Sequence, residues 1–331
     1  MKVIVQIPCY NERETLAETI ADIPRHIDGV DSVEILVVDD GSSDGTSDLA
    51  RTLGVDHVIR HRCNRGLAAT FRTGLDTALQ LGADIIVNTD GDNQYPGKEI
   101  PRLIEPILAE RADVVIGARR IDRATHFSST KKILSKLGSA VVRVLTGLQI
   151  ADAVSGFRAL SRHAATRINI ISSFSYTIEM LIQIGHKRLA LETIPIDINV
   201  KLRESRLFNS IPEFIAYSVT TMMRIYAMFR PLRVFFSLGA LLLLSGMVPV
   251  IRFLYFYFTS SGDGHIQSLI LGSVFLIAGI FVMLIGLVTD LISSNRQLIE
   301  MTLERVKRIE SRLDTLDTKP LSDHDLENRV E

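Results

Sequence analysis

Two carboxylates one residue apart, Asp90 and Asp92, flank Gly91 in the run Asn88-Thr89-Asp90-Gly91-Asp92-Asn93-Gln94. Where a chain turns at the end of a strand, such a pair can face one hard cation. Mg²⁺ or Mn²⁺ held there keeps open positions for diphosphate oxygens and neutralises the charge that grows on a departing nucleoside diphosphate. Alone, the tripeptide reads as a solvated turn. Its place directly after the apolar run Ile85–Asn88 favours the chemical reading. A second acidic pair, Asp39 and Asp40, precedes Gly41 and the turn Ser42-Ser43-Asp44-Gly45-Thr46. A carboxylate there can accept hydrogen bonds from a base or ribose, while Asp44 or Ser43 caps the next helix. Pro8, Tyr10, Asn11 and Glu12 follow the first apolar run, where a nucleoside can lie across a sheet edge.

The basic residues suggest a different ligand. Arg119 and Arg120 follow the fifth apolar run, then Lys131, Lys132 and Lys136, and Lys201, Arg203 and Arg206 cluster further on. One such group is ordinarily a solvated face. Several near strand ends suit an anionic headgroup.

The elements that must position these groups are legible as alternation. Val3–Ile7, Glu34–Val38, His57–Ile59, Asp84–Asn88 and Val114–Gly117 are strand-length runs, several of them continuous Val and Ile. That pattern suits strands covered on both faces. Glu14–Ile23, Thr46–Leu53 and Leu67–Leu81 read as helices between them, which implies an α/β fold with a mainly parallel sheet. In such sheets ligands sit beyond the carboxyl ends of the strands, where the polar motifs fall.

The C-terminal third reads differently. Ile211, Phe214, Ile215, Met222, Ile225, Tyr226 and Phe229 recur at helical spacing, so residues 211–230 read as an amphipathic helix lying on a bilayer. Residues 232–258 and 266–292 are each long enough to cross a hydrocarbon core of about 30 Å. The link Thr259–His265 carries no Lys or Arg, whereas Arg224, Arg230, Arg233, Arg296, Arg305, Lys307 and Arg308 flank the outer ends. The positive-inside rule then places both termini in the cytoplasm of a multi-pass inner-membrane protein. Over 293–316, a cytoplasmic helix, Ile299, Thr302, Val306, Ile309, Leu313 and Leu316 form a short heptad seam that favours a homo-oligomer, a dimer or tetramer. Residues 317–331 are polar and read as a disordered tail.

Bulk properties agree. With 37 basic and 38 acidic residues the net charge of −1 argues against nucleic acid as a partner. Two cysteines, Cys9 and Cys63, build neither a disulfide framework nor a zinc site. The start MKVIVQIPCYNERE meets proline and charge too early for a signal peptide, so the first domain is expected to stay on the side of synthesis.

IPCYNE, VVDDGSSDGT, NRGLAATFRTGLDTAL, DGDNQYP, VIGAR, DAVSGFRAL and SYTIEM, in this order, resemble the family 2 glycosyltransferases of the dolichyl- and polyprenyl-phosphate sugar synthase branch. The resemblance covers about residues 2–210, and the paired apolar segments resemble those of its membrane-anchored members. It implies a GT-A fold over residues 1–210 and inverting transfer of a sugar from a nucleotide donor to a polyprenyl or dolichyl phosphate. UDP-glucose or UDP-N-acetylglucosamine leads as donor and GDP-mannose is the alternative. By motif, Pro8, Tyr10, Glu12, Asp39, Asp40, Asp90 and Gly91 would line the nucleotide. Asp90, Asp92 and Gln94 would hold the metal and the donor diphosphate. Arg119 would contact phosphate and Asp152 would lie near the reaction centre. Glu179, with Arg119, Lys132, Arg203 and Arg206, would form the acceptor side. One stretch departs from the pattern: where the family shows an Arg and then Gly-x-Ser-Lys, this chain has Val200, Arg203 in place of the Gly, and Arg206 in place of the Lys. Two other readings are a glycan-extending transferase, which the lack of any Trp disfavours, and a transporter or scaffold with a vestigial nucleotide fold, which the intact DGD disfavours.

Overall fold

The computed structural model describes residues 1–120, 143, 147–170, 176–199, 220, 223, 226–227, 230–259 and 266–317. The basic residues Lys131, Lys132, Lys136, Lys201, Arg203 and Arg206, nearly all of 211–230 and the tail from 318 lie outside them.

In the N-terminal unit, continuous Val and Ile runs become strands because both of their faces find helices to cover them. The elements are β1 (Lys2–Cys9), α1 (Leu16–Asp22), β2 (Ser32–Asp39), α2 (Thr46–Thr52), β3 (His57–Arg60), α3 (Leu67–Gln80), β4 (Ile85–Asn88), a 3₁₀ turn (Gly97–Glu99) and α4 (Ile100–Leu108). There follow β5 (Val114–Arg119), β6 (Arg158–Ser161), α5 (Arg162–Arg167), α6 (Tyr176–Lys187) and β7 (Leu191–Ile196). Val3, Val5, Ile7, Ile35, Val37, Ile85 and Val87 are buried on one side of the sheet with residues of α1 and α4. Each such side chain contributes about 1.5–3 kcal/mol on leaving water.

The seven strands run in the order β3-β2-β1-β4-β6-β5-β7. β1 pairs in parallel with both β2 and β4, and β5 with β7. β6 is antiparallel to its neighbours β4 and β5. The chain leaves β1 toward β2 and β3 and crosses back to lay β4 on its other side. That reversal opens a crevice at the carboxyl ends of β1 and β4, the place where open α/β sheets bind ligands.

The second unit holds α7 (Pro231–Thr259) and most of α8 (Ile266–Asp317). Pro231–Thr259 and Ile266–Asn295 have mean hydropathies of 2.3 and 2.7 and are only 11% and 17% buried, so both are long and apolar enough to cross a bilayer. The two pack through glycines. A Cβ on Gly239 would lie 2.9 Å from the Gly279 carbonyl oxygen, and one on Gly246 the same distance from that of Gly272. Small residues let helix backbones approach closely where lipid provides no hydrophobic drive for association. The expected division between a span at 266–292 and a separate helix at 293–316 corresponds to one unbroken helix of 52 residues. The reason is local: no Gly or Pro occurs between Leu287 and Asp317.

Candidate active site

β4 ends at Asn88, and the next residue stays in the sheet register, its N–H donating to the Gln6 carbonyl at 3.1 Å. The chain then turns through Asp90-Gly91-Asp92. Two hydroxyls of α1 and its approach hold this turn, Thr15 Oγ1 and Thr19 Oγ1 donating to the Gly91 carbonyl at 2.8 and 3.2 Å. Gly91 sits in a tight place, since a Cβ would stand 3.1 Å from Cys9 Sγ and 3.2 Å from Glu12 Cγ. Asp92 Oδ1 accepts the Gln94 N–H at 3.1 Å, and Asn93 between them has φ +54°. Asp90 and Asp92 are half-buried.

The segment Asp152–Phe157 closes on the same turn. Gly156 lets it: a Cβ there would lie 2.9 and 3.0 Å from the two carboxylate oxygens of Asp90. Its backbone is fixed from below, where Asn88 Nδ2 donates to the Gly156 carbonyl at 2.8 Å and to Tyr176 Oη at 3.1 Å. Asn88 Oδ1 in turn accepts Gln6 Nε2 at 2.9 Å across β1 and β4. The Gly156 N–H donates to Tyr95 Oη at 3.1 Å, and the Tyr95 ring stacks on Phe157. Burial pushes the Tyr95 hydroxyl up to about 12, so it stays protonated near neutrality. Tyr176 stacks on Phe71 of α3 with ring centroids 4.1 Å apart.

Asp152, 1% exposed, receives Arg119 from the end of β5. Arg119 Nε donates to Oδ2 at 2.6 Å and Nη2 to Oδ1 at 3.0 Å. Burial works against the Arg119 charge, but Tyr95, Asp152 and Asp90 together raise its pKa, so it is a fixed cation facing the acidic turn. A second arginine, Arg158 at the start of β6, is fully buried. Nε donates to the Ser155 carbonyl at 2.8 Å, Nη1 to that of Thr177 at 2.9 Å and Nη2 to that of Ala153 at 3.0 Å. It thereby ties the loop carrying Asp152 to the first turn of α6. Burial lowers its pKa, yet a guanidinium stays charged under all protein conditions.

The Asp39–Asp40 pair is engaged in shaping its loop. Asp39 accepts the Ser42 N–H at 2.9 Å and the Ser47 hydroxyl. Asp40 accepts the N–H groups of Arg65 and Gly66 at 2.9 and 2.8 Å, and His61 Nδ1 lies 2.7 Å from its Oδ1. The other ring nitrogen, Nε2, lies 3.0 Å from Thr73 Oγ1, so His61 bridges Asp40 to α3. Across this loop, Asn11 at φ +55° donates its N–H to Ser42 Oγ and accepts the Ser43 N–H on Oδ1. Pro8 and Glu12 are buried, and Tyr10 is 44% exposed, so the aromatic ring is the face this loop offers to a ligand. Glu179 is fully buried on α6. Lys132, Arg203 and Arg206 lie outside the described residues, and the structure says nothing of their place.

Comparison with known proteins shows which family this chain belongs to. A model of glycosyl transferase family 2 matches residues 4–168. An undecaprenyl-phosphate mannosyltransferase of Micrococcus luteus is 32% identical over 212 residues, which span 62% of this chain and 85% of the relative. The chain belongs to glycosyl transferase family 2. An undecaprenyl-phosphate 4-deoxy-4-formamido-L-arabinose transferase of Pectobacterium carotovorum is 30% identical over 262 residues, 74% of this family 2 chain and 73% of that one. Glucosyl-3-phosphoglycerate synthase of Mycobacterium tuberculosis, solved with Mn²⁺ and UDP, superposes with a TM-score of 0.51 over 68% of this chain and 78% of its own, at 22% identity. That likeness shows the GT-A fold, and the chain is a glycosyltransferase built on it.

A divalent ion fits the residues of this family 2 site. Asp90 and Asp92 leave a strand end side by side, and Gln94 between turn and core is buried with its Nε2 lacking a partner among the described residues. A diphosphate oxygen satisfies that amide directly, and the ion itself does so with the amide turned over. No group of three or more His, Cys, Asp or Glu side chains forms a metal cluster among the described residues, so an ion at this turn would draw its protein carboxylates from Asp90 and Asp92. The remaining positions would be left to diphosphate and water, as Mg²⁺ sites on phosphate substrates are ordinarily built.

Three contributors escape a linear reading: Asn88, His61 and Arg158. Asn88 is visible only as the last residue of a strand, and Arg158 only as part of a motif. His61 carries no sequence signal, since its partner Asp40 lies 21 residues away.

Proposed function

We propose that this glycosyltransferase moves a sugar from a nucleotide donor to a polyprenyl phosphate, such as undecaprenyl or dolichyl phosphate, with inversion in a single displacement. The observation that carries the reading is the acidic turn Asp90–Asp92 facing the paired Arg119 and Asp152, in a chain that also holds two helices long enough to anchor it in a bilayer. A bound divalent ion supplies charge neutralisation at the donor diphosphate, held by Asp90 and Asp92 with Gln94. Arg119, kept cationic, meets an acceptor or donor phosphate oxygen and is aimed by Asp152. A lipid phosphate monoester, with a second pKa of about 6, is largely dianionic at neutral pH and needs no strong general base. Asp152 therefore acts by position and field.

GDP-mannose is the first donor to test, because the Micrococcus relative is named for mannose. UDP-glucose and UDP-N-acetylglucosamine, favoured by resemblance, come second. The arginine distribution supports cytoplasmic termini and a cytoplasmic catalytic domain. Exposed Ile299, Val306 and Ile309 on α8 support a homo-oligomer.

The test is transfer by purified full-length protein from each labelled donor to undecaprenyl phosphate in detergent, with Mn²⁺ or EDTA. An acid-labile, lipid-soluble product that needs metal is the expected result. Transfer to oligosaccharides with none to the lipid phosphate sinks the reading.

A further inference from the structure

The turn that carries both acidic residues is held from one more side, by a residue that no catalytic motif contains. Beyond β7 the chain runs over the DGDNQ segment, and Asn199 reaches it with side chain and backbone together. Asn199 Nδ2 donates to the Asn93 carbonyl at 3.0 Å and lies 3.3 Å from Asn93 Oδ1. The Asn199 N–H donates to the Gln94 carbonyl at 3.0 Å. Asn93 has a left-handed φ of +54°, a conformation that Asn adopts more readily than most L-residues when local hydrogen bonds hold it. It stands directly between Asp92 and the buried amide of Gln94.

We infer that Asn199 is a positioning residue for the ion-holding turn, fixing the left-handed Asn93 so that Asp90, Asp92 and Gln94 converge on one divalent ion. The inference rests on the metal reading above. The other restraints act elsewhere on the turn or through an ion-holding carboxylate, as where the Gln94 N–H donates to Asp92 Oδ1 at 3.1 Å. Thr15 and Thr19 hold Gly91 on the near side of the turn, and Asn93 Nδ2 makes only a long 3.5 Å contact with Glu18. Without the Asn199 amide the Asn93 carbonyl loses that donor, and among the described residues the peptide joining Asn93 to Gln94 is left with the bond from its N–H to Asp92 Oδ1, an oxygen of the ion-holding carboxylate itself. Losing a group that orients metal ligands in this indirect way typically costs about 10–100-fold in metal affinity or activity, and because Asn199 touches only the turn, the loss is expected in affinity.

Asn199 is half-buried in the segment just after the edge strand β7, so Asn199→Ala leaves the core untouched. The experiment titrates Mn²⁺ into full-length protein in detergent with GDP or UDP present, reading free Mn²⁺ by electron paramagnetic resonance. Turnover at saturating Mn²⁺ and the melting temperature of the metal-free protein are measured beside it. The expected result is Mn²⁺ affinity weakened roughly tenfold, with turnover at saturating metal and melting temperature nearly those of wild type. Unchanged Mn²⁺ affinity overturns the inference, including the case in which only the melting temperature falls, which marks a purely architectural contact. Asp92→Asn is the control. If wild type binds Mn²⁺ no better than Asp92→Asn, the metal reading itself fails, an outcome distinct from a failure confined to Asn199.

Discussion

Arg119 meets Asp152 in a two-point ion pair, Nε to Oδ2 and Nη2 to Oδ1, with the carboxylate almost wholly withdrawn from water. Fork-to-fork geometry fixes the guanidinium plane as well as its position, which a lysine cannot reproduce. Arg119→Lys keeps the charge and loses the plane, so sugar transfer is expected to fall by about 10²-fold with the fold retained. Asp152→Ala strands a buried cation and should destabilise the domain by about 3–5 kcal/mol. Steady-state kinetics with circular dichroism melts separates the two effects; equal melting temperatures for both variants would contradict the buried pairing.

Asp92→Asn should preserve the fold, because the side chain is half-buried at a strand end and its one bond to the Gln94 N–H can be kept by the amide oxygen. Its turnover should fall by orders of magnitude, roughly 10²-fold or more, through loss of the ion. Transfer equal to wild type in both EDTA and Mn²⁺ would remove the metal from the site.

Acid should weaken the N-terminal domain partly through Asp56. Burial pushes its carboxyl upward, but the Ile35 N–H at 2.7 Å and Arg25 more than offset this, leaving the folded-state pKa below the ordinary value of 3.8. A depressed carboxyl pKa gives stability that is complete above the unfolded value and fades as pH drops through the folded one. Below about pH 4 wild type should therefore lose stability more steeply than Asp56→Asn, although the variant is the weaker of the two at neutrality. Urea melts from pH 3 to pH 7 check this; parallel curves would exclude Asp56 from the acid limb.

Gly279→Leu should push α7 and α8 apart, since a Cβ there already lies 2.8 Å from Leu243 Cγ and 3.0 Å from the Gly239 carbonyl oxygen. The detergent-solubilised protein should melt earlier, while turnover on a short water-soluble phosphate acceptor stays within about twofold, because these contacts are confined to the hairpin. An unchanged melting profile would mean that the glycine contacts contribute nothing to hairpin stability.

Where the sequence could be read and where it could not follow the same physical division. β1, β2 and β4 announce themselves because strands buried on both faces must be apolar throughout, and the acidic turn is placed by the run that ends at Asn88. β6 escaped because its four residues begin with Arg158, and a charged residue ordinarily marks a surface. Only the carbonyls of Ala153, Ser155 and Thr177, brought in by the fold, make its burial tolerable. The Asp39–Asp40 pair showed its place but not its engagement, because backbone N–H groups of residues 42, 65 and 66 are invisible to residue type.

α8 carries one further implication. At 1.5 Å per residue its 52 residues measure about 78 Å, and the part beyond Asn295 amounts to about 33 Å, close to another bilayer core in length. No break separates the apolar part from this extension, so the two tilt together. Transmembrane helices adjust their tilt to the thickness of the surrounding lipid, and a lean of about 20° displaces the far end of such an extension sideways by about 11 Å. In a helix without a break, any lean of the apolar part is magnified along the extension in proportion to its length.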